Sequence, residues 1–442
     1  MANAPRERPL TRGPTMLTRR ALMASTAALA AGCSFLESSF SVPGQPRTID
    51  LTWISEAYGG FRERGFGPNG LEEALKRIVA ALEEDIENPN GPAKARYTLT
   101  SRFVRSENAD PPLQSIDDII AWYGGLETDL LSVPPLLAQM LGERGVILPL
   151  DQFIATDDSE FTEAVYPYLL DHFRSDGGLF ALPVDASPTL IHYDPKTLSQ
   201  DDVSRINEGW HWDDMLEIAE KLTERDENGE VQRWGLLTQH HGYWWALWQN
   251  EAELADPATM QCRLLEPAAI EALQFCHDLI HTHQVSPPVT SFDAWSVFNA
   301  HSWPGMFFSS VQGSWSSENR WAALPQGKRH SVPVIGNMGI AITARAQNTE
   351  VAFKALKGLV GVMQRFVEVP AQKEAVARLG DFRKTLRPAE IAAFQHSMEH
   401  GRAIPFSRAA WGAMQALEEG IARGDDILTV VNHACSTLQE QS

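Results

Sequence analysis

The stretch Leu126-Glu-Thr-Asp-Leu-Leu-Ser-Val-Pro-Pro135 decides the fold. Its apolar residues predict a buried strand over residues 126–133, and the two prolines that follow predict that the chain turns directly from this strand into a helix. A strand that runs straight into a helix is typical of α/β folds, in which ligands lie in crevices beyond the carboxyl ends of the strands. Ser132, a polar residue at such a strand end, is therefore a candidate ligand contact.

Strands and helices alternate on both sides of this stretch. Upstream, the sequence predicts strands at 49–55 and 97–104, and Ser115 with Asp118 is typical of a capping box at a helix N-terminus. The alternation begins again after Gly177-Gly178. The elements predicted there are strands at 179–184, 190–193 and 234–238 and helices at 212–222, 267–281, 405–422 and 427–438. We therefore expect an α/β protein of two lobes, with parallel sheets covered on both faces.

The composition agrees with a large globular protein. The chain has 442 residues, 43% of them apolar, and its 37 Lys+Arg against 57 Asp+Glu give a net charge of −20. An acidic surface repels phosphate backbones and anionic lipid, so we expect neither nucleic-acid binding nor an electrostatic membrane contact. Four cysteines are too few for a disulfide framework, so a buried core must stabilise the fold, and the state of Cys262, Cys276 and Cys435 stays open.

The N-terminal residues predict export. Arg19-Arg20 precede the apolar run Ala21–Ala31, which is too short to span a bilayer and ends in small residues, as a signal peptide over residues 1–32 would. The arginine pair resembles a twin-arginine signal, and Leu29–Cys33 resembles a bacterial lipobox, in which Cys33 is lipidated; cleavage without lipid is the alternative, and Met16 is an alternative start. Residues 33–47, rich in Ser and Pro, have the composition of a tether. The protein is thus expected in the periplasm or anchored to the cell envelope.

Two motifs resemble cofactor-binding sites, a nucleotide site and a zinc site, but the sequence around each does not fit such a site. Gly65–Gly70 matches GxGxxG, but Pro68 stiffens the loop, the preceding strand ends too far upstream, and no acidic residue ends the next strand. His277 and His281 share one helix face, as zinc ligands would, but the helix lacks the glutamate of the zincin motif and no distant ligand is evident. We therefore predict no cofactor, no metal site and no catalytic residue.

Tryptophan is the unusual component of this sequence. There are thirteen, including the consecutive Trp244-Trp245, whose side chains diverge by about 100° on a helix, so that one of the two is expected to cover a groove. Indole rings that lie against the apolar faces of sugars, with polar side chains around them, are the usual lining of a carbohydrate cleft. The tryptophans therefore favour a carbohydrate ligand, although large core residues are the simpler explanation for most of them.

Four segments, in order and spacing, resemble the extracellular solute-binding proteins of sugar-type ABC importers, the maltose-binding-protein-like family 1. Asp129–Asp151 resembles the family's passage "G-x-L-x-P-L-D" after a strand and helix, and Leu179–Asp194 resembles its hinge-crossing passage, with Asp194 in place of Asn. Trp210–Thr223 resembles its "W-T-W-D-E" helix. The fourth segment, in two parts, is Met306–Trp315 with Ile335–Thr343, which resemble its "G-x-W" and "G-G-x-x-x-A-I" segments.

The resemblance implies a two-lobed periplasmic-binding-protein fold of type II, with hinged lobes that close on a solute in the cleft between them. Lobe 1 would comprise 48–182 and 334–386, and lobe 2 would comprise 183–333 and 387–442. The implied function is that of a monomeric, non-enzymatic binding component, which delivers a sugar, oligosaccharide or polyol to the permease subunits of an ABC importer. A secreted glycoside-active enzyme is the alternative from another class, and a lipoprotein that has lost its ligand is a third.

The candidate ligand contacts combine strand-end positions with the resemblance. Glu56 and Tyr58, like Ser132, follow strands of the first lobe, and Asp185 marks the hinge edge. Pro405 is expected to start a helix that presents Trp411 six residues later, with Arg402 as a forked donor just before it. Core packing with Met414 and Leu417 at the following turns is the alternative for Trp411. The full predicted set is Glu56, Tyr58, Ser132, Asp185, Trp244, Trp245, Gln312, Trp315, Asn337, Arg402 and Trp411.

Overall fold

The computed structural model describes residues 115–157, 161–176, 178–299, 303–310, 320–365 and 367–441, together with the backbone of two strands at 47–54 and 97–104. The strands, in chain order, are β1 Arg47–Ile54, β2 Tyr97–Val104, β3 Leu130–Val133, β4 Arg174–Ser175, β5 Gly178–Leu179, β6 Leu182–Pro183, β7 Ser187–Pro188, β8 Leu190–Tyr193, β9 Glu224–Arg225, β10 Val231–Arg233, β11 Leu236–Leu237, β12 Met306–Ser309, β13 Arg320–Ala322, β14 Val332–Ile335, β15 Gly339–Ile342 and β16 Gly401–Ala403.

Helices fill most of the chain between these strands. They are α1 Ile116–Gly125, α2 Pro135–Glu143, α3 Asp151–Ile154, α4 Phe161–Ala164, α5 Pro167–Asp171, α6 Gln200–Glu208, α7 Trp212–Leu222, α8 Trp244–Gln249, α9 Pro267–His281, α10 Ala294–Asn299, α11 Thr349–Met363, α12 Lys373–Ala377, α13 Leu379–Phe382, α14 Pro388–Glu399, α15 Arg408–Arg423 and α16 Ile427–Gln441. No helix among the described residues is both long and apolar enough to cross a bilayer.

Local sequence determines several helix ends as predicted. Ser115 Oγ accepts the Asp118 N–H at 3.1 Å at the start of α1, and α7 and α9 have the predicted bounds. The helix that carries Trp411 begins later than predicted, at Arg408 instead of Pro405. Its N-cap is Ser407, whose Oγ accepts the Ala410 N–H at 3.4 Å, because a side-chain acceptor satisfies an end donor and Pro405 has none to offer.

The sheets are mixed, whereas parallel sheets were predicted. The first sheet has the order β2-β1-β3-β15-β6, in which β1 is parallel to both β2 and β3 but β15 is antiparallel to β3 and β6. The second has the order β11-β12-β8-β13, with only β11 and β12 parallel. In the first sheet the antiparallel direction belongs to β15, which the chain enters from the second core and not through a helix that covers this sheet, so no strand-helix-strand connection sets its direction.

Two large apolar cores separate the molecule into two parts. The first surrounds the first sheet, with buried residues from Ile120 to Leu150, from Phe173 to Val184 and from Met338 to Val367. The second surrounds the second sheet and includes Val165, Tyr166 and Leu169. Membership changes from the first core to the second between Val367 and Val369. The lobe boundaries themselves stay a prediction, and the packing of Val376 and Leu379 in the second core favours a boundary near residue 368 over the one predicted at 386.

Cys262 and Cys435 form a disulfide that links the turn before α9 to α16, across 173 residues of sequence. The third described cysteine, Cys276, is free and buried in α9, where burial raises the pKa of its thiol. A thiol held in the neutral form by an apolar environment is a poor nucleophile. The cysteines therefore contribute to packing and cross-linking within the second core.

Three extended segments connect the cores and bond to one another. The middle segment, 184–186, donates Val184 N–H to Met338 O at 2.9 Å on one side and Ala186 N–H to Val369 O at 3.0 Å on the other. Gly339, directly after the crossing segment that contains Met338, allows the chain to pass close to the Phe173 ring, because a Cβ at this position would lie 2.6 Å from that ring. The crossings thus form one hydrogen-bonded layer between the cores.

A buried carboxylate fastens this layer. Asp185 is 7% exposed and accepts the Met338 N–H at 2.9 Å and the Asn337 Nδ2–H at 3.3 Å, while Asn337 also donates to Ser187 Oγ at 2.6 Å. Burial raises the pKa of Asp185 to about 6, because these hydrogen bonds offset only part of the loss of hydration. His172, whose pKa burial lowers to about 4, accepts the Gly336 N–H at Nδ1 and donates from Nε2 to Ile404 O.

We expect Asp185→Asn to abolish one component of the pH dependence of stability. The folded-state pKa of about 6 lies above the unfolded value of 3.8, so the native state holds the extra proton and loses stability as pH rises between these values. The shift corresponds to at most about 3 kcal/mol. Urea unfolding at several pH values should show the wild type losing stability relative to the variant through this window. Asp201→Asn on the exposed face of α6 is the control, and a constant difference between wild type and Asp185→Asn would contradict the expectation.

Candidate functional site

Polar residues collect at one edge of the second sheet. The segment His240-His241-Gly242 follows β11, and Ser310 follows β12. Because β11 and β12 are parallel neighbours, their carboxyl ends meet at the same edge. Trp411 of α15 reaches the same place, with its ring edge-on to His241 at a centroid distance of 6.4 Å. We call His240, His241, Ser310 and Trp411 the cleft cluster.

Hydrogen bonds determine the protonation of the cleft cluster. The Ser310 N–H donates to His240 Nε2 at 2.7 Å, so this nitrogen carries no proton, and the Ser310 hydroxyl lies 2.9 Å from the same atom. The hydroxyl also lies 3.3 Å from His241 Nε2. Two imidazoles and one serine therefore converge at the carboxyl end of β12, and their donors and acceptors bond to one another within the cluster.

Both imidazoles are neutral at physiological pH. Burial lowers the pKa of His240 well below its usual value, with a further contribution from His241, and burial alone lowers that of His241 to about 4. The cleft cluster consequently offers uncharged polar groups beside an aromatic ring. Such a surface can hydrogen-bond to hydroxyl groups, and it provides no compensating charge for an ionic ligand.

The backbone under the cluster is strained. His241 and Gly242 have φ values of 59° and 87°, both in the left-handed region, which an L residue with a side chain such as His241 adopts only at a cost of about 1 to 2 kcal/mol. Gly242 also needs to be glycine, because a Cβ there would lie 2.4 Å from Met414. Strained residues of this kind cluster at functional sites, where the surrounding packing compensates for them.

A second polar group lies beneath this turn. Glu418 is 4% exposed and accepts the Ser291 N–H at 3.2 Å and the Ser291 hydroxyl at 2.8 Å, and burial raises its pKa to about 7. These bonds anchor the turn that carries Phe292, whose side chain is 90% exposed. An exposed aromatic ring on an anchored turn is a further candidate for ligand stacking.

The structure contradicts the expectation that Trp244 and Trp245 face different surroundings. Both are buried, at 3% and 0% exposure, and every residue of α8 is buried with them. Trp245 packs edge-on against Trp212 and Phe308. The reason is that α8 lies between α9 and β14, so apolar surface meets it on more than one side. Whether either indole contacts a ligand stays a prediction.

Three other predicted contacts lie near the crossings between the cores. Asp185 and Asn337 come together in the hydrogen-bonded layer described above, so their side chains already have partners there. Ser132 lies in the middle of the first sheet, fully buried and opposite Ile340 of β15. Contact of these residues with a solute stays a prediction, and the structure adds a role for Asp185 and Asn337 in joining the lobes.

Arg402 is already engaged by other side chains. On β16, its guanidinium forms an ion pair with Glu253, 2.9 Å from Oε1, and lies over the Trp248 ring at 4.4 Å. The Trp248 indole N–H donates to the same carboxylate at 3.2 Å. A ligand bound by Arg402 would therefore have to share or replace Glu253.

Four predicted ligand contacts and the lipidation site lie outside the described residues. They are Glu56, Tyr58, Gln312, Trp315 and Cys33, and the Gly65–Gly70 motif is outside as well. Gln312 and Trp315 follow Ser310 along the chain. Of the pair His277 and His281, for which no metal site was predicted, His281 has a structural contact, because its Nε2–H donates to Ile421 O at 2.7 Å.

His240, His241, Ser310 and Phe292 are candidate contacts that the sequence alone did not indicate. His240 and His241 follow the strand predicted at 234–238, so the strand-end position that favours Ser132 favours them as well. Ser310 required knowledge that β12 is the parallel neighbour of β11, which is a tertiary fact.

Comparison with known proteins places the chain in a family. The sequence model of the bacterial extracellular solute-binding protein family matches residues 125–361, more than half of the chain. Members of this family are exported binding proteins rather than enzymes.

Solved structures share the fold at low sequence identity. The cyclic alpha-maltosyl-1,6-maltose binding protein from Arthrobacter globiformis is 14% identical, with a TM-score of 0.66 over 90% of this chain and 99% of that one. The sugar-binding protein MalE from Xanthomonas citri is 16% identical, with a TM-score of 0.64 over 89% and 96%. UgpB from Mycobacterium tuberculosis, in complex with glycerophosphocholine, is 16% identical, with a TM-score of 0.62 over 90% and 98%. The family match identifies this chain as a member of the bacterial extracellular solute-binding proteins, and the solved structures share its fold.

Proposed function

We propose that the protein captures a neutral carbohydrate, such as a sugar, oligosaccharide or polyol, and delivers it to the permease subunits of an ABC importer. The observation that carries this proposal is the cleft cluster, where two neutral imidazoles and a serine hydroxyl stand beside Trp411. Hydroxyl groups of a sugar can exchange hydrogen bonds with such partners, and its apolar C–H face can lie on an indole.

The charge of the ligand distinguishes a neutral sugar from other solutes that proteins of this fold bind. The solved relatives bind maltose-type sugars in some cases and glycerophosphocholine in another. A phosphodiester would require a cation within the cleft, since burying an anion without a partner is strongly unfavourable. The cleft cluster supplies none, because both of its histidines are held neutral. The candidate contact Arg402, outside the cluster, is already paired with Glu253.

The mechanism follows from the hydrogen-bonded layer. Solute held by the cleft cluster from one lobe and by residues of the other, among them Ser132, Glu56 and Tyr58, would bridge the lobes and raise the population of the closed form. The hydrogen bonds of the layer that includes Asp185 would keep the crossings together while one lobe rotates against the other. The permease would then recognise the closed surface, and the protein would work as a monomer.

Export and anchoring complete the proposal. Residues 1–32 would direct export and be removed, and Cys33 would then carry a lipid that holds the protein at the membrane through the tether at 33–47. The disulfide between Cys262 and Cys435 supports an oxidising compartment, because such bonds persist outside the cytosol.

Thermal unfolding with a ligand panel tests the proposed function. We expect a neutral mono- or oligosaccharide to raise the melting temperature, because a ligand at about 100 times its Kd stabilises the native state by about 2.7 kcal/mol. Polyols, glycerophosphodiesters, amino acids and polyamines complete the panel. A response confined to charged solutes would refute the carbohydrate assignment, and turnover of any glycoside in the panel would favour the enzyme alternative.

Replacement of Trp411 separates ligand contact from packing. Trp411 is half-buried, so we expect Trp411→Ala to weaken sugar binding by about 1 to 3 kcal/mol and to destabilise the fold less than a core substitution does. The matched core variant is Trp245→Ala, expected to reduce the free energy of unfolding by about 3 to 5 kcal/mol. Calorimetry and urea unfolding measure the two quantities. Unchanged affinity in Trp411→Ala would remove this residue from the site.

Cys33→Ser tests the anchor. In a host that lipidates bacterial lipoproteins, the wild type should incorporate labelled palmitate and sediment with membranes, and the variant should do neither. Mass spectrometry of the mature N-terminus measures the cleavage site independently. A wild-type protein that is cleaved after a small residue and carries no label would contradict lipidation.

A further inference from the structure

Three histidines outside the cleft cluster converge on the surface of the second lobe, two residues before Arg402 in the case of His400. His330 lies in the loop before β14, His396 lies in the last turn of α14, and His400 is the residue that caps this helix. One ring nitrogen from each lies within 4.8 Å of one from each of the others. We call these residues the histidine triad.

The spacing of the triad resembles that of a first-row metal site. His330 Nδ1 and His396 Nε2 are 3.2 Å apart. Two nitrogens bound to a tetrahedral Zn²⁺ at 2.0–2.1 Å are separated by about 3.3 Å, so this pair needs almost no movement to bind an ion. His396 and His400 are four residues apart at the end of a helix, which places both on the same face, with their rings stacked at a centroid distance of 4.4 Å.

The backbone around the triad is well ordered by hydrogen bonds. The Val332 N–H, two residues after His330, donates to His400 O at 3.0 Å, and β14 continues alongside β16 in parallel register. The His400 N–H donates to His396 O at 3.1 Å. The two chain segments that carry the ligands are therefore held together by main-chain bonds, and an ion would find its ligands already positioned.

One ring nitrogen of the triad is buried without a hydrogen-bond partner among the described residues. His400 Nδ1 is buried and makes no hydrogen bond among the described residues, and a buried polar atom of this kind costs about 1 to 3 kcal/mol. Coordination of His400 to a metal would offset that cost if Nδ1 is the ligand atom. The carboxylate of Glu399 is within electrostatic range of His396 and would attract a bound metal cation.

We propose that the histidine triad binds one divalent late transition-metal ion, of which Zn²⁺ is the representative, with water completing the coordination. Three imidazoles without a carboxylate or thiolate suit Zn²⁺, Cu²⁺ or Ni²⁺, and do not suit Mg²⁺ or Ca²⁺, which prefer oxygen ligands. The ion would fasten the loop before β14 to the end of α14. Because β14 leads directly to the crossing at Gly336, the ion would stabilise the part of the second lobe from which the hinge begins.

The test uses the full-length, untagged protein after treatment with a chelator. Zn²⁺ titration by calorimetry should give about one ion per chain, and Co²⁺ should produce the visible absorption bands of a tetrahedral site in the wild type. Each of His330→Ala, His396→Ala and His400→Ala should weaken Zn²⁺ binding by about tenfold or more. Zn²⁺ should raise the melting temperature of the wild type, and Mg²⁺ should not.

Two control variants keep the proposal falsifiable. His433→Ala removes an exposed histidine on α16, and His277→Ala removes one of the histidines paired on α9; both should bind Zn²⁺ as the wild type does. Circular dichroism of each metal-free variant shows whether it folds, and the Co²⁺ spectrum of the wild type needs no variant. Absence of tetrahedral Co²⁺ bands in the wild type, or Zn²⁺ binding that survives the triad substitutions and disappears in His277→Ala, would overturn the proposal.

Discussion

The buried carboxylate of Asp185 is the interaction on which the rest of the structure depends. Its two acceptor oxygens bind the main chain at Met338 and the side chain of Asn337, and so join the first two of three crossings between the lobes. The third crossing bonds to the same segment through Ala186 and Val369. A protein that works by closing two lobes needs crossings that bend together, and a shared polar centre with main-chain bonds on both sides provides this.

Each side of the hinge has a rigid core of its own. The first core packs against the mixed sheet that contains β3 and β15, and the second includes the fully buried helix α8. Close-packed interiors resist deformation, so a change in the angle between lobes is concentrated in the segments that connect them. The disulfide between Cys262 and Cys435 strengthens the second lobe without touching the crossings. Stability and motion are thus located in different parts of the chain.

The candidate cleft shows how burial sets the chemistry of a binding site. His240 and His241 would ordinarily titrate near neutral pH, but their surroundings keep both uncharged. The strained backbone at His241 is retained beside Met414 and Tyr243, whose N–H lies 3.1 Å from the Met414 sulfur. A neutral, polar and partly aromatic surface on a fixed backbone is suited to a hydroxylated ligand.

The sequence by itself determined the fold class, the bounds of α7 and α9, the cap at Ser115 and membership of the family, because these follow from local periodicity, capping and the order of motifs along the chain. Tertiary structure alone decided that the sheets are mixed, that Trp244 and Trp245 are both buried, and that Arg402 is paired with Glu253. It also decided which residues meet: Ser310 reaches His240 across 70 residues of sequence, and His330 reaches His396 across 66. The physical reason is that a helix or strand records only its own pattern, whereas burial and pairing depend on elements that pack against it from distant parts of the chain.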